Sequence, residues 1–542
     1  MKVIDPTISS FESLIAGNRL YVDKTAYIYK LVTGPRMVLF SRPRRFGKSL
    51  TVSTLDALFR GKRELFAGLA IDSLPYDWKV YPVIHIDFGT CGASDASSLE
   101  RWMNERLMKI GASYGFHENG DSPYYTRFED TIDALAEKTQ VVILIDEYDK
   151  VLSDNIFNPE VEKMRTVLSN FYQVIKSKNE EIRFAFITGV TKYAKLSVFS
   201  KMNNLSDISM DSDYALMCGY SQEELEGSFK EYIELGVKKA VMDRDDYLAT
   251  LKCKYDGYRF APDAETVYNP VSVGLFFSKG GRLFNDYWID TGSMTLLMNI
   301  AKKVDFNLAT DLDDPLAASD LGTFDILNLA TNPTGSSLKS LLLQTGYLTI
   351  GRSEQYGQLL YLVFPNMEVQ KGFCNGILSA YYTDGPRFTA SGLLASGAFM
   401  EGDTCKAIGI LKSIYSSIPS IIQTQDEGYY QSILYAMLLA MGADVRAEVS
   451  NAGGRIDAVL LYPRTVYVIE FKKDQDAQAG LDQIKARGYA DQYTSNPQGR
   501  TIHLLGISFD SGLRNISDWK EEIIKPDGPP SDYQAACGNC IL

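Results

Sequence analysis

Histidine is scarce in this 542-residue chain: His85, His117 and His503 are the only three, and they lie far apart in sequence. Cysteine is also sparse and odd in number, seven residues at irregular spacings, which reads as reduced thiols rather than a disulfide framework. Cys537 and Cys540 form a C-x-x-C, but no second pair stands at zinc-ribbon spacing, so a structural zinc site is not expected. No apolar run approaches the ~18 residues needed to span a bilayer, and Met1–Pro6 carries no signal-peptide core. The expectation is a cytoplasmic protein with no membrane partner.

A basic excess is lacking as well. The net charge is −13, which excludes a protein that coats nucleic acid over its whole surface, because phosphate binding depends on Lys and Arg displacing counterions. Residues 421–542 hold about 11 basic and about 16 acidic side chains, so any nucleic-acid contact there must be local.

What is present is the composition of a folded protein, 45% hydrophobic and 23% charged. The length suggests roughly three or four units. Over the first ~215 residues short β-branched runs alternate with amphipathic stretches, the pattern of an α/β domain with a largely parallel sheet. Strands are expected at Met37–Phe40, Val83–Asp87, Val141–Ile145 and Phe184–Thr188. Polar residues follow each of them, and open α/β folds place ligands at that carboxyl edge. Four segments are expected: 1–218 as a P-loop parallel-sheet domain, 219–395 as a mostly helical middle region with strand-like patches at Tyr347–Ile350 and Leu359–Phe364, 396–525 as a second α/β unit, and 526–542 as a flexible tail. Within 396–525 the expected order is helix 428–441, strands 444–449, 455–461 and 466–471, helix 477–493 and strand 501–508.

The run Arg42-Pro43-Arg44-Arg45-Phe46-Gly47-Lys48-Ser49-Leu50, between an apolar strand and an amphipathic helix, has the build of a phosphate-binding loop. Backbone N–H groups of Arg44–Leu50 and the helix N-terminus would face the phosphates. Lys48 would contact the β- and γ-phosphates of ATP, and Ser49 would ligate Mg²⁺. The general pattern is G-x-x-x-x-G-K followed by Ser or Thr, and Arg42 stands where its first glycine belongs. The bland alternative is an ordinary loop-to-helix turn with a basic cluster.

About 100 residues further on, Val141–Ile145 runs into Asp146 and Glu147. Asp146 would hold the magnesium-bound water and Glu147 would polarise the attacking water, with Asp149 next in line for that role; the alternative is a solvated strand end. Phe184–Ile187 leads into Thr188, the candidate polar sensor of the γ-phosphate, with Thr191 and Lys192 beside it.

These residues resemble a named family. Tyr21-Val22-Asp23-Lys24-Thr25, the Arg42–Ser49 loop, Leu144–Asp149, Thr188-Gly189-Val190, Asn203–Ile208 and Tyr255–Phe260 look like the bacterial AAA-ATPase-like family, often fused to a C-terminal PD-(D/E)XK nuclease-superfamily domain. The resemblance covers nearly the whole chain up to about residue 525. It implies a RecA/AAA-like ATPase domain followed by a restriction-endonuclease-like α/β domain, and a phosphate loop that itself begins with arginine.

The resemblance also implies a second site. Alternation puts Asp457 on one face of strand 455–461, and Glu470 with Lys472 on one face of the next strand. The turn Tyr462–Thr465 would bring them together. A carboxylate inside so apolar a run as Val466–Phe471 calls for a compensating cation. Asp457 and Glu470 are therefore candidate Mg²⁺ ligands, with Glu427 as a further carboxylate, and Lys472 would position the attacking water or stabilise charge. Gln483 and Tyr489 match the superfamily's Gln-Ile and Tyr positions. The alternative is a surface Glu470–Lys472 ion pair worth under ~1 kcal/mol.

Two functions remain in view. One is an enzyme in which ATP binding and hydrolysis license cleavage of nucleic acid, DNA rather than RNA, in defence or mobile-element biology. The other is a nucleotide-controlled switch or scaffold whose nuclease fold only binds; a homo-oligomer is compatible with either. A metabolic kinase is disfavoured, since no small-substrate motif accompanies the loop. Arg165 and Arg259 are the candidate arginine fingers.

Overall fold

The computed structural model describes residues 1–117, 122–191, 204–288, 297, 300, 314–381, 385–416, 435, 437–439, 444–451, 454–494 and 499–525. Lys192, Glu427, most of the helix expected over 428–441, the Cys537/Cys540 pair and the tail 526–542 lie outside the described residues. The chain divides into two compact units, residues 1–287 with 315–365, and residues 288–314 with 366–542.

The first unit is built on a five-stranded parallel sheet: β1 (Met37–Ser41), β2 (Val83–Asp87), β3 (Val141–Asp146), β4 (Ile182–Gly189) and β5 (Ser206–Asp207), in the order β2-β3-β4-β1-β5. β1 and β3 are buried along their whole length, which explains why they read as unbroken apolar runs rather than alternating ones. β4 lies between the strand that feeds the phosphate loop and the strand that ends in Asp146-Glu147. The register sets Thr188 beside Phe40 and Asp146 beside Asp87. The four expected strands are thus present, each within two residues of its expected ends.

Helices Lys48–Phe59, Ala96–Ser113, Tyr124–Ala136 and Val161–Ser177 accompany the sheet. Phe59 packs on Phe184 of β4, and Phe171 stacks on Phe128 at 4.5 Å between ring centroids. The helix from Ala96 is started by a reciprocal Asp95–Ser98 capping box, which satisfies donors its first turn leaves free.

A second core of the same unit gathers helices Gln222–Ser228, Lys230–Ala240, Arg244–Tyr255 and Pro270–Ser278 around Phe229, Tyr247, Tyr255, Phe276 and Phe277. It agrees with the helical reading of the middle stretch. The strand-like patches there become an antiparallel pair, β7 (Thr349–Glu354) and β8 (Leu359–Val363), with β6 (Leu316–Ala317) added to β8.

The second unit carries helices Met367–Tyr381, Gly385–Glu401 and Thr404–Ser416 and a mixed sheet in the order β13-β12-β11-β10-β9. β9 (Asp444–Asn451), β10 (Gly454–Leu461) and β11 (Thr465–Lys473) are antiparallel neighbours; β12 (Thr501–Asp510) runs parallel to β11 and β13 (Asn515–Ile524) antiparallel to β12. Helix Ala477–Ala486 provides the crossover between β11 and β12. It rests directly on the sheet at Gly506, where a Cβ would run into the Ala477 carbonyl oxygen and crowd the Leu481 nitrogen.

Two local expectations need correcting. The helix expected over 477–493 stops at Ala486, because Gly488 turns left-handed (φ +60°), and a separate short helix follows at Asp491–Thr494. The sequence reading assigns no element to β13; its charged residues Lys520, Glu521 and Glu522 obscure an edge strand with one exposed face.

Candidate functional site

In the first unit, β1 delivers the loop to the carboxyl edge of the sheet. Gly47 caps helix Lys48–Phe59 from the left-handed region (φ +93°), and Arg45 before it is also left-handed (φ +68°). The Lys48 ammonium is buried and donates to the loop carbonyls of Arg42 (2.9 Å) and Pro43 (3.0 Å). Burial pulls Lys48 below the usual lysine range, and Asp146, Asp149 and Glu147 nearby oppose that shift.

Arg42 has a role that the general pattern does not predict. It is buried, with its guanidinium between the rings of Phe40 and Phe260, 4.3 and 4.2 Å from the ring centroids. Nη1 donates to the carbonyls of Ser41 and Ser209, and Nη2 to that of Tyr214. Its hydrogen-bond partners among the described residues are carbonyls, and burial brings its pKa down to about 10, so it remains a cation at neutral pH. This side chain ties the start of the phosphate loop to the segment after β5.

Asp146 is buried and shifted upward by burial, with the Ser49 hydroxyl and Lys48 pulling the other way. Ser49 and Asp146 thus form a hydroxyl–carboxylate pair of the chemistry that Mg²⁺ accepts. Glu147 follows in the left-handed region (φ +51°), and burial, then the charge of Asp146, raises its carboxyl. Asp149 sits differently. Its carboxylate is taken up by the Val190 N–H, the Thr191 N–H and the Thr191 hydroxyl, so it has no geometry for activating water.

A cavity of about 420 Å³ opens beside the loop. Arg44–Thr51 and Glu147 form one part of its wall, Tyr21, Val22 and Lys24 of the Tyr21–Thr25 motif another, and further parts come from residues that the sequence reading passed over, among them Ile8, Met217, Tyr220 and Val271. These come from distant points in the chain and carry no phosphate-type chemistry, so the one signal for the wall beyond the loop is the Tyr21–Thr25 motif. Within that motif Asp23 Oδ1 accepts from the Thr25 N–H and hydroxyl, and Lys24 pairs with Glu224 at 2.6 Å. Asp146 and Thr188 are not on the cavity wall, and the Thr188 hydroxyl is fully buried with no hydrogen-bond partner among the described residues. Of the two candidate fingers, Arg259 donates to the Gly351 carbonyl and Arg165 pairs with Glu162, so each is engaged within its own chain.

In the second unit the turn at Tyr462 closes β10 onto β11 by a Tyr462 N–H to Thr465 carbonyl bond (2.9 Å). The β10–β11 pairing runs from Leu461↔Val466 to Ala458↔Ile469, and just past it Asp457 accepts the Phe471 N–H at 2.7 Å. Glu470, 2% exposed, is bound through Oε1 by Lys472 (3.1 Å) and by Gln483 on the crossover helix, while its Oε2 is buried with no partner among the described residues. Burial first, and the Asp457 charge second, raise Glu470 to about 7.

An unpartnered carboxylate oxygen beside a second carboxylate fits a divalent cation. No group of three or more potential ligands occurs among the described residues. The surface ion-pair alternative does not fit, since Glu470 is buried and Lys472 is only 16% exposed. Tyr489 is packed into the hydrophobic core of the unit.

Comparison with known proteins agrees with this division. Residues 6–199 match the AAA-ATPase-like family model, described as predicted AAA-ATPase, and residues 425–519 match a model of the PD-(D/E)XK nuclease superfamily. An uncharacterized protein in the vnfD 5′ region of Azotobacter chroococcum mcd 1 is 34% identical over 533 residues, covering 94% of this chain and 96% of that protein. The Aeropyrum pernix ORC2 protein, solved as ADPNP-ADP complexes, aligns over 66% of this chain and 92% of its own at 11% identity, with a TM-score of 0.18 that bears no argument. No helix among the described residues is long and apolar enough to cross a membrane. With a relative this similar over nearly its full length, the chain belongs to the AAA-ATPase-like family and carries a C-terminal PD-(D/E)XK nuclease-superfamily domain.

Proposed function

We propose that this protein binds and hydrolyses ATP in its first unit, and that its nucleotide state controls Mg²⁺-dependent action of the second unit on nucleic acid, DNA rather than RNA, in defence or mobile-element biology. The observation that carries the ATP reading is the cavity with the phosphate loop on one side and Glu147 on the same wall. Lys48 and the N–H groups of Arg44–Leu50 bind phosphate oxygens, and the apolar wall of Ile8, Leu14, Val22 and Val271 receives the base. Glu147 orients a water and takes its proton; its raised carboxyl is a better proton acceptor than an ordinary glutamate. Thr188 is the candidate sensor, with a hydroxyl that has no partner among the described residues.

Mg²⁺, when bound, supplies Lewis-acid charge for the phosphate oxygens at either site. Ser49 and Asp146 would hold it in the first unit, and Asp457, Glu470 and Glu427 in the second. Lys472 holds Glu470 in place and would position the attacking water or stabilise charge.

The second reading, a nucleotide-controlled switch whose nuclease fold binds without cutting, is favoured by the acidic balance of residues 421–542, about 16 acidic against about 11 basic side chains. Purified full-length protein incubated with plasmid and single-stranded DNA, with and without ATP and Mg²⁺, separates the two. Nucleotide- and Mg²⁺-dependent cleavage supports the enzyme, whereas ATP hydrolysis without cleavage under every condition supports the switch.

A further inference from the structure

The turn that follows β2 lies against the proposed catalytic carboxylate. β2 ends at Asp87, in register with Asp146, and the chain then makes a short 3-10 turn over Phe88–Thr90. A Cβ on Gly89 would stand 2.8 Å from both Glu147 Oε2 and Asp87 Oδ1, closer than real Cβ atoms come to an oxygen, and 3.2 Å from Glu147 Cδ. The bare Cα of Gly89 is therefore what lets the Glu147 carboxylate occupy its position.

Both partners in this contact are held. Asp87 Oδ1 accepts the Gly89 N–H at 2.7 Å, the Thr90 hydroxyl donates to the Asp87 carbonyl, and Arg106 donates to the Thr90 hydroxyl. Phe88 is fully buried against Trp102, with ring centroids 5.4 Å apart. On the other side, the Glu147 N–H donates to Asp146 Oδ1, and its carbonyl accepts from the Lys150 N–H. With both backbones fixed, the parts that can yield are the side-chain ends of Glu147 and Asp87, and Asp87 Oδ1 is itself tied to the Gly89 N–H.

We propose that Gly89 is a positioning residue for ATP hydrolysis: the turn after β2 is a seat shaped for the Glu147 carboxylate, and its lack of a side chain sets where that carboxylate meets the attacking water. The inference rests on the reading of Glu147 as the water-activating base. Gly89 does not line the cavity, so its substitution acts on turnover and not on nucleotide affinity. The atoms an added methyl group meets, Glu147 Oε2 and Asp87 Oδ1, are both side-chain ends, so the fold tolerates the change, and with Asp87 tied to the Gly89 N–H the displacement falls chiefly on the Glu147 carboxylate.

The test uses the full-length protein with Gly89→Ala, Glu147→Asp, the double variant and Glu147→Gln, reading ATP affinity by calorimetry, steady-state hydrolysis and melting temperature. Gly89→Ala is expected to bind ATP within about twofold of the parent and to lose about tenfold or more in kcat. Glu147→Asp withdraws the carboxylate from the seat, so adding Gly89→Ala to it is expected to cost little more; the two losses fall well short of multiplying. A kcat for Gly89→Ala equal to the parent's, or losses that multiply in the double variant, overturns the seat while leaving the base assignment standing. If Glu147→Gln hydrolyses ATP as the parent does, the base assignment itself fails and the seat is overturned with it.

Discussion

Asp149 holds Thr191 by two bonds of 2.7 Å, one from the backbone N–H and one from the hydroxyl, both to the same carboxylate oxygen. Together with Tyr148, whose hydroxyl donates to the Thr191 carbonyl, it locks the end of β4 to the turn after β3. Removing the carboxylate leaves buried donors unsatisfied. Asp149→Ala is therefore expected to destabilise the first unit by about 2–4 kcal/mol, and Asp149→Asn by less, because one acceptor oxygen remains. Urea unfolding combined with hydrogen exchange at the Val190 and Thr191 amides measures it. Unchanged protection of those amides in the alanine variant would contradict the lock.

Arg42 occupies the place of a glycine in the general phosphate-loop pattern, so Arg42→Gly moves the sequence closer to that pattern. It also strips a guanidinium donor from the Ser209 and Tyr214 carbonyls and empties the space between Phe40 and Phe260. A loss of about 3 kcal/mol or more in stability is expected, together with weaker nucleotide binding. A glycine variant as stable as the parent in thermal unfolding would show that the clamp contributes nothing.

Lys48 and Glu147 should separate binding from turnover. Lys48→Ala removes the charge from the phosphates and is expected to weaken ATP binding by about 100-fold or more. Glu147→Gln keeps the shape of the site and loses the base, so it should bind ATP normally and hydrolyse it about 100-fold more slowly. Calorimetric titration beside phosphate-release kinetics reads both, and unchanged affinity in Lys48→Ala would refute the phosphate-loop assignment.

For the second unit, Asp457→Ala, Glu470→Ala and Lys472→Ala are each expected to lower Mg²⁺-dependent cleavage by about 100-fold or more while leaving ATP hydrolysis within about twofold. Gel-based nuclease assays alongside ATPase assays decide it. Should the parent cut and all three variants cut equally well, the active site lies elsewhere in that unit.

The pH dependence of Glu470 has a definite sign. Its carboxyl is raised from 4.5 to about 7, chiefly by burial, so the folded protein keeps a proton that the unfolded chain releases. The stability this confers is complete below the unfolded value and is lost as pH rises through about 7. Relative to the parent, Glu470→Gln should therefore gain stability between about pH 5 and about pH 8. Adding Mg²⁺ should stabilise the parent at the upper end and not the variant. Parallel urea titrations at the two pH values, with and without the metal, test both statements; a stability difference that does not change with pH would refute the raised carboxyl.

Much of this was legible in the linear chain because each signal is local. Buried parallel strands read as unbroken apolar runs, as in Val141–Ile145. The Gly47-Lys48-Ser49 step marks a strand-to-helix turn, and the alternation of Val468, Glu470 and Lys472 fixes a common face before any partner strand is known. The break at Gly488 and strand β13 were not legible. Gly488 is one residue inside an otherwise helical pattern, and β13 is an edge strand whose charged face looks like loop.

The sequence by itself determined the two α/β patterns, the phosphate loop, the acidic pair after β3 and the carboxylate–lysine strand, since each depends on neighbours within one element. Only the tertiary structure decided which groups are still available for chemistry. Asp149 is bound by Thr191, Arg42 is a clamp rather than a phosphate ligand, and Arg259 is engaged by the Gly351 carbonyl. Glu147 is fitted against Gly89, and Glu470 keeps an oxygen with no partner among the described residues. These outcomes depend on contacts between residues tens or hundreds of positions apart, where burial and strand register, absent from any local pattern, determine whether a polar group spends its hydrogen bonds on the fold or keeps them for a ligand.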